Sequence, residues 1–170
     1  MEPVYVEEYM IAPAGVRFGN LFIDIMLQAV LAYVVGFISV VAGETLGWDA
    51  LYIWFRQMDR GDAVFFLLTI HVVYYIFFEG LMGRTPGKLV TGTMVVTVEG
   101  EKPGFVAVLT RSFCRLIPLE GISFFGEKVW GLHDRLANTY VVDIYQYRRG
   151  QAMQKELKAK KEIAGPWAGL

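Results

Sequence analysis

The sequence predicts an α-helical integral membrane protein with two long transmembrane helices, an interfacial amphipathic helix and a short cytoplasmic two-stranded β element. Two apolar stretches, residues 18–41 and 63–81, each approach the length of about 20 apolar residues that crosses a bilayer. Hydrophobic residues make up 55% of the 170 residues and charged residues 19%, whereas soluble domains have about 45–50% and 25%. Basic residues are unevenly distributed, since only three of the 16 Lys and Arg residues precede Arg84.

This charge asymmetry predicts the orientation, because short segments rich in Lys and Arg stay on the cytoplasmic side. With spans at about 17–42 and 63–82, both termini are then cytoplasmic in a multi-pass protein of a prokaryotic inner membrane. We expect a single membrane domain over residues 1–147, whose cytoplasmic or interfacial part is 83–147. Residues 148–170 then form a charged, partly helical tail.

The first span carries a polar stripe formed by Arg17, Asn20, Asp24 and Gln28, at spacings that share one side of a helix. Asp24 lies about 10 Å deeper than Arg17, too deep for its short side chain to reach water. We expect basic residues from the second half of the chain to neutralise Asp24. Two roles stay open: an ion pair that orients the helices, or a site that binds a proton or a cation.

The second span places His71, Tyr75 and Glu79 on one face, four residues apart. A neutral His71 that hydrogen-bonds another helix is favoured over a metal ligand or a proton relay. Two histidines and the lone Cys114 lack any recognised metal-ligand spacing, so we expect no metal site and no cofactor. A short interfacial helix is predicted at 51–58, in the outer loop.

Residues 83–88 follow the second span and are predicted to form a tight turn that contains Thr85 and Lys88. The pattern of a phosphate-binding loop is absent, which argues against nucleotide binding. Two runs rich in β-branched residues, 90–98 and 138–147, predict cytoplasmic strands that can pair with each other.

Between these strands, residues 105–117 predict an amphipathic helix with Arg111 and Arg115 on one face, either interfacial or re-entrant. The run His133, Asp134 and Arg135 precedes the second strand. No nucleophile or metal site accompanies it, so we expect ion pairs to Arg111, Arg115 or the span ends rather than enzyme activity.

Together these motifs resemble the RDD family of small prokaryotic membrane proteins. The resemblance covers about residues 14–145, and the family's naming residues map to Arg17, Asp24 and Asp134. It implies an inner-membrane protein, and some members are similar to monovalent cation/proton exchangers. Many relatives have a third long hydrophobic helix, whereas here residues 119–130 are short and carry three charges. Two spans cannot easily enclose a water-filled path, so transport would require a homo-oligomer.

Two functions remain open at this stage. The first is exchange of a monovalent cation for a proton at Asp24, aided by Glu79. The second is a non-catalytic membrane module whose buried charges form a structural ion-pair network. Expected partners are the bilayer, other copies of the chain and anionic lipid at the basic cytoplasmic face, and not nucleic acid. The candidate residues are Arg17, Asp24, Glu79, Arg111, Arg115, Asp134 and Arg135, supported by Asn20, Gln28, His71, Tyr75, Thr85, Lys88 and His133.

Overall fold

The computed structural model describes residues 5–116 and 132–164. The helices are α1 (Ala14–Leu46), α2 (Asp49–Gln57), α3 (Arg60–Phe77), α4 (Pro86–Thr91), α5 (Phe105–Cys114), α6 (Leu132–Leu136) and α7 (Ile144–Ala164). The strands are β1 (Thr93–Thr97) and β2 (Thr139–Asp143). A π turn, Phe78–Met82, continues α3, and a 3-10 turn, Glu8–Met10, precedes α1. The predicted features at 119–130 lie outside the described residues.

Two helices are long and apolar enough to cross a membrane: α1, and α3 together with its π turn. Their most apolar windows have mean hydropathies of 2.3 and 1.9, and only 6% and 22% of these windows are buried within the protein. The core helix of a soluble protein would be mostly buried, so this exposure fits helices that face lipid. The polar stripe on α1 is the exception, since its side chains are buried.

The C-terminal end of α1 and the N-terminal end of α3 are joined by α2, which folds back on α1. Tyr52 packs so closely on α1 that a Cβ placed on Gly43 would lie 3.0 Å from the Tyr52 Cβ. Trp54, Phe55 and Phe66 form edge-to-face pairs with ring centroids 5.1–5.9 Å apart. The short helix predicted at 51–58 is therefore present, and it begins two residues earlier.

The segment after the second span differs from the prediction, because residues 86–91 are helical rather than a turn followed by strand. Thr85 caps α4 by accepting a hydrogen bond from the Lys88 N–H at 3.4 Å, and Pro86 occupies the first helical position. Gly92 ends the helix at φ 69°, a conformation that glycine adopts at little cost. The strand predicted at 90–98 is shortened to β1.

The two strands pair in antiparallel register from Thr93 opposite Asp143 to Thr97 opposite Thr139, as the sequence predicts. The second run is strand only as far as Asp143. The Asp143 carboxylate accepts hydrogen bonds from the N–H groups of Tyr145 and Gln146 at 2.9 and 3.0 Å, and so starts α7. The helix α7 then runs without a break across the expected boundary at residue 148.

A small core joins the N-terminal segment to the sheet and to α7. Ile11 forms a β-bridge with Val142, and the Ala12 N–H donates to the Val141 carbonyl oxygen at 2.9 Å. Met10, Val96, Val142 and Tyr147 make up this core. The sheet therefore packs next to the N-terminal end of α1, which places β1 and β2 near the charged residues described next.

Candidate functional site

The polar stripe of α1 faces α3 and α4, and all four of its side chains are buried. In the first half of the stripe, the Asn20 amide hydrogen-bonds the hydroxyls of Thr91 and Thr93, at 2.9 Å for Thr93. Deepest in the span, Gln28 hydrogen-bonds His71 Nδ1 on α3 at 2.9 Å. The stripe therefore binds α1 to neighbouring elements instead of facing lipid.

A buried charge network lies where the N-terminal end of α1 and the C-terminal end of α3 meet α4, α5 and α6. One half is centred on Glu79, which is 2% exposed. Its carboxylate contacts Arg115 Nη2 at 2.9 Å, Arg111 Nε at 3.3 Å and the Lys88 ammonium. Three cations therefore share one carboxylate. The π turn that carries Glu79 belongs to a rare class of structure, often found at functional sites.

The other half of the network is centred on Asp134, which is fully buried on α6. Its carboxylate pairs with Arg111 Nη1 and, at 3.5 Å, with Arg17 Nη1. Arg111 joins the two halves because its guanidinium also contacts Glu79, and it donates to the Thr139 hydroxyl at the start of β2. The network consists of Arg17, Glu79, Lys88, Arg111, Arg115 and Asp134.

Among the residues that the structure describes, the network holds four cations and two carboxylates. Burial, opposed by Glu79 and reinforced by Arg115 and Arg111, lowers the pKa of Lys88 to about 8. Lys88 is therefore the network cation that releases a proton most easily, since a guanidinium stays charged. Within the described ranges, buried Arg111 Nη2 and Arg115 Nη1 find no acceptor.

Asp24 lies apart from this network and is held by neutral donors. Its Oδ1 accepts hydrogen bonds from the Tyr74 hydroxyl at 2.9 Å and from the Gly87 N–H at 2.8 Å. The carboxylate is 1% exposed. No Lys or Arg in the described part of the chain pairs with it, and its Oδ2 accepts no hydrogen bond there. The expectation that basic residues neutralise Asp24 is therefore wrong, because α4 brings backbone rather than ammonium to it.

Gly87 can occupy this position only because it has no side chain. A Cβ there would lie 2.8 Å from Asp24 Oδ1 and would collide with the Asn20 carbonyl oxygen. The cap at Thr85 and the proline that follows make Gly87 an early residue of α4, where N–H groups have no partner within the helix. The closeness of α4 to α1 thus supplies a donor to Asp24.

An aromatic contact connects the network to the deeper part of α3. The Arg115 guanidinium lies over the Tyr75 ring, 3.9 Å from its centroid. The Tyr75 ring meets that of His71 edge-to-face with centroids 4.8 Å apart. His71 hydrogen-bonds another helix as expected. Side chains in contact therefore connect Gln28 to Glu79 through His71, Tyr75 and Arg115.

The structure brings most of the predicted site residues together. Arg135 is exposed on α6, and the side chain of His133 lies outside the described part. Sequence reasoning missed the roles of Tyr74 and Gly87. Tyr74 follows His71 by three residues, so helical spacing places it on the same face; Gly87 carries no comparable side-chain signal.

Comparison with known proteins supports the resemblance seen in the sequence. The model of the RDD family matches residues 11–138, which include the polar stripe, the second span and Asp134. A search of the curated proteins and a search of the solved structures each return no match. The matched residues cover well over half of the chain. The chain therefore belongs to the RDD family, a family of membrane proteins.

Proposed function

We propose that this protein exchanges a monovalent cation for a proton across a prokaryotic inner membrane, with Asp24 as the group that binds them in turn. One observation supports this above all: Asp24 is fully buried and bound only by neutral donors, whereas Glu79 and Asp134 are ion-paired. A buried carboxylate that has no cationic partner is suited to bind a proton or a metal cation, either of which would offset its charge.

The geometry at Asp24 leaves one oxygen for this exchange. Tyr74 and Gly87 both bind Oδ1, which holds the carboxylate in one orientation while Oδ2 is open to a proton or cation. Neutral donors stabilise the ionised form without competing for the position of the bound cation, as an ammonium group would. Glu79 plays a different part, because its three cations keep it occupied.

The proposed orientation has both termini in the cytoplasm, with the network at the inner surface, because the segments after Arg84 carry most of the basic residues. A homo-oligomer completes the pathway. Only 6% of the most apolar window of α1 is buried within one chain. A second copy therefore has a large surface on which to pack. Two spans from each copy then enclose Asp24.

Proteoliposomes that contain a pH-sensitive dye test the exchange. A sodium or potassium gradient should drive proton flux through the wild-type protein, and Asp24→Asn should reduce that flux at least tenfold, an order-of-magnitude expectation for losing the only binding group. Asp49→Asn is the matched control, since Asp49 is an exposed acid at the first turn of α2. Absence of flux in the wild type, or equal flux in Asp24→Asn, would overturn the proposal.

A second candidate is a non-catalytic membrane module, and the charge network favours it. Ion pairs there connect α1, α3, α4, α5 and α6, so their main effect would be to fix the cytoplasmic part beneath the spans. On this alternative the wild type shows no flux, and Glu79→Gln lowers the yield of folded protein while Asp24→Asn does not. A folded Asp24→Asn protein that has lost flux would instead support exchange.

A further inference from the structure

A recess of about 300 Å³ lies where the second span ends, and Asp24 is not among its lining residues. Met82 and Gly83, at the end of the π turn, form one side of it. Its lining includes three basic residues, Arg84, Lys102 and Arg148, together with mainly apolar residues of β1 and α7. The recess has no acidic lining residue in the described chain, although Glu99 and Glu101 lie in the neighbouring turn.

The three cations come from separate segments that the fold holds together. Lys102 crosses the end of the span, because a Cβ on Gly83 would lie only 3.1 Å from the Lys102 Cε. The Tyr147 hydroxyl donates to the Gly100 carbonyl oxygen, which fixes the turn preceding Lys102 against α7, the helix that carries Arg148. The segments that carry the three basic residues are therefore held next to one another by the fold, although the Lys102 and Arg148 side chains themselves are exposed.

None of these three cations forms an ion pair with a described residue, so their charge is available to a ligand. Met82, at 53% exposure, adds apolar surface at the same level. Basic groups beside apolar surface at the end of a span suit an anionic lipid, whose phosphate meets the cations while its chains stay in hydrocarbon. The volume is at the lower end of small-molecule sites, which fits one headgroup and not a macromolecule.

We propose that this recess binds the phosphate of one anionic phospholipid from the inner leaflet. The site uses the orientation proposed above, in which Met82 faces the cytoplasmic side, and does not depend on exchange at Asp24. It lies on residues outside the charge network. It gives the basic cytoplasmic face a defined binding position for anionic lipid, formed by three side chains rather than by the charged tail as a whole.

Native mass spectrometry of the full chain in detergent tests this site, with phosphatidylglycerol, phosphatidylcholine and inorganic phosphate titrated separately. We expect phosphatidylglycerol to bind at one saturable site and the other two to bind far more weakly. The variant R84Q/K102Q/R148Q should bind phosphatidylglycerol about a hundredfold more weakly, because each basic residue at a membrane surface contributes about a factor of five. Its melting temperature without lipid should match that of the wild type.

The matched control is R149Q/K155Q/K160Q, which removes equal charge from exposed positions of α7. It should retain wild-type affinity for phosphatidylglycerol. Equal loss in both variants would show attraction to net charge and overturn the site. Equal binding of phosphatidylcholine would overturn the requirement for an anionic headgroup, and full occupancy by inorganic phosphate would show a free-anion site instead. Loss of lipid binding with normal proton flux in proteoliposomes would leave the exchange proposal intact.

Discussion

The pairing of Arg111 with Asp134 allows a quantitative test of the charge network. Both side chains are fully buried, and Arg111 also contacts Glu79 and Thr139. Arg111→Gln leaves Asp134 with the Arg17 contact at 3.5 Å and leaves the Thr139 hydroxyl without this donor. Glu79 suffers less, because Lys88 and Arg115 still neutralise it. Most of the cost should therefore fall on Asp134.

The expected size follows from the burial of both groups. Removing one partner of a buried ion pair costs about 3–5 kcal/mol, because the remaining charge loses its compensation. Asp134→Asn should reduce the free energy of unfolding by a similar amount. The buried Arg111 would then have Glu79 as its ion-pair partner, and Glu79 also pairs with Lys88 and Arg115. The double variant removes one charge of each sign. Its cost should fall below the sum of the single costs by at least about 2 kcal/mol, within the range for residues in contact.

Unfolding in mixed micelles with increasing sodium dodecyl sulfate, followed by tryptophan fluorescence, measures these differences in the free energy of unfolding. Arg149→Gln is the control, because Arg149 is exposed on α7 and surface substitutions usually stay within about 0.5 kcal/mol. Additive single costs, within about 0.5 kcal/mol, would refute the coupling that the geometry requires.

Three further predictions concern Asp24 and Lys88. Gly87→Ala should destabilise the protein by about 1–3 kcal/mol through overpacking against Asp24, whereas Gly19→Ala, inside α1 with nothing within 4 Å of its Cβ, should not; equal melting temperatures would contradict this. Tyr74→Phe removes a donor that orients the Asp24 carboxylate, so proton flux in proteoliposomes should fall about fivefold, the effect of losing a hydrogen bond of about 1 kcal/mol, and unchanged flux would count against that role. Burial lowers the pKa of Lys88 to about 8 from 10.5, so between these values the unfolded chain holds more protons and the free energy of unfolding rises with pH. Lys88→Met should lack that rise, and a fall in wild-type stability relative to this variant would contradict the sign.

Helical spacing was enough to predict the buried stripe on α1, because side chains three, four and seven positions apart share a face whatever packs against them. It was not enough to identify what Asp24 meets. Its donor from α4 is the Gly87 backbone N–H. A backbone donor cannot be predicted from the positions of charged side chains. The same spacing argument could have identified Tyr74, which lies three residues after His71.

Local signals explain the errors at the ends of the strands. Thr85 and Pro86 start a helix. The glycines on either side of them led to the prediction of a turn. Asp143 likewise starts α7 by accepting hydrogen bonds from backbone N–H groups. The β-branched residues around it had predicted a strand that continued to residue 147. The partners of Glu79 were only partly predictable, because charge complementarity indicates that Arg111 and Arg115 can reach an acid but not which one.

The π turn at Phe78–Met82 determines where the second span can tolerate a change in length. Such a turn holds one residue more than a regular α-helical turn, so loss of a residue such as Leu81 could be absorbed by rewinding the helix. Loss of a residue from α3 itself would rotate one part of the helix by about 100° relative to the other, separating His71 or Tyr74 from α1. Natural variation in span length should therefore accumulate beside Glu79 and be rare within α3.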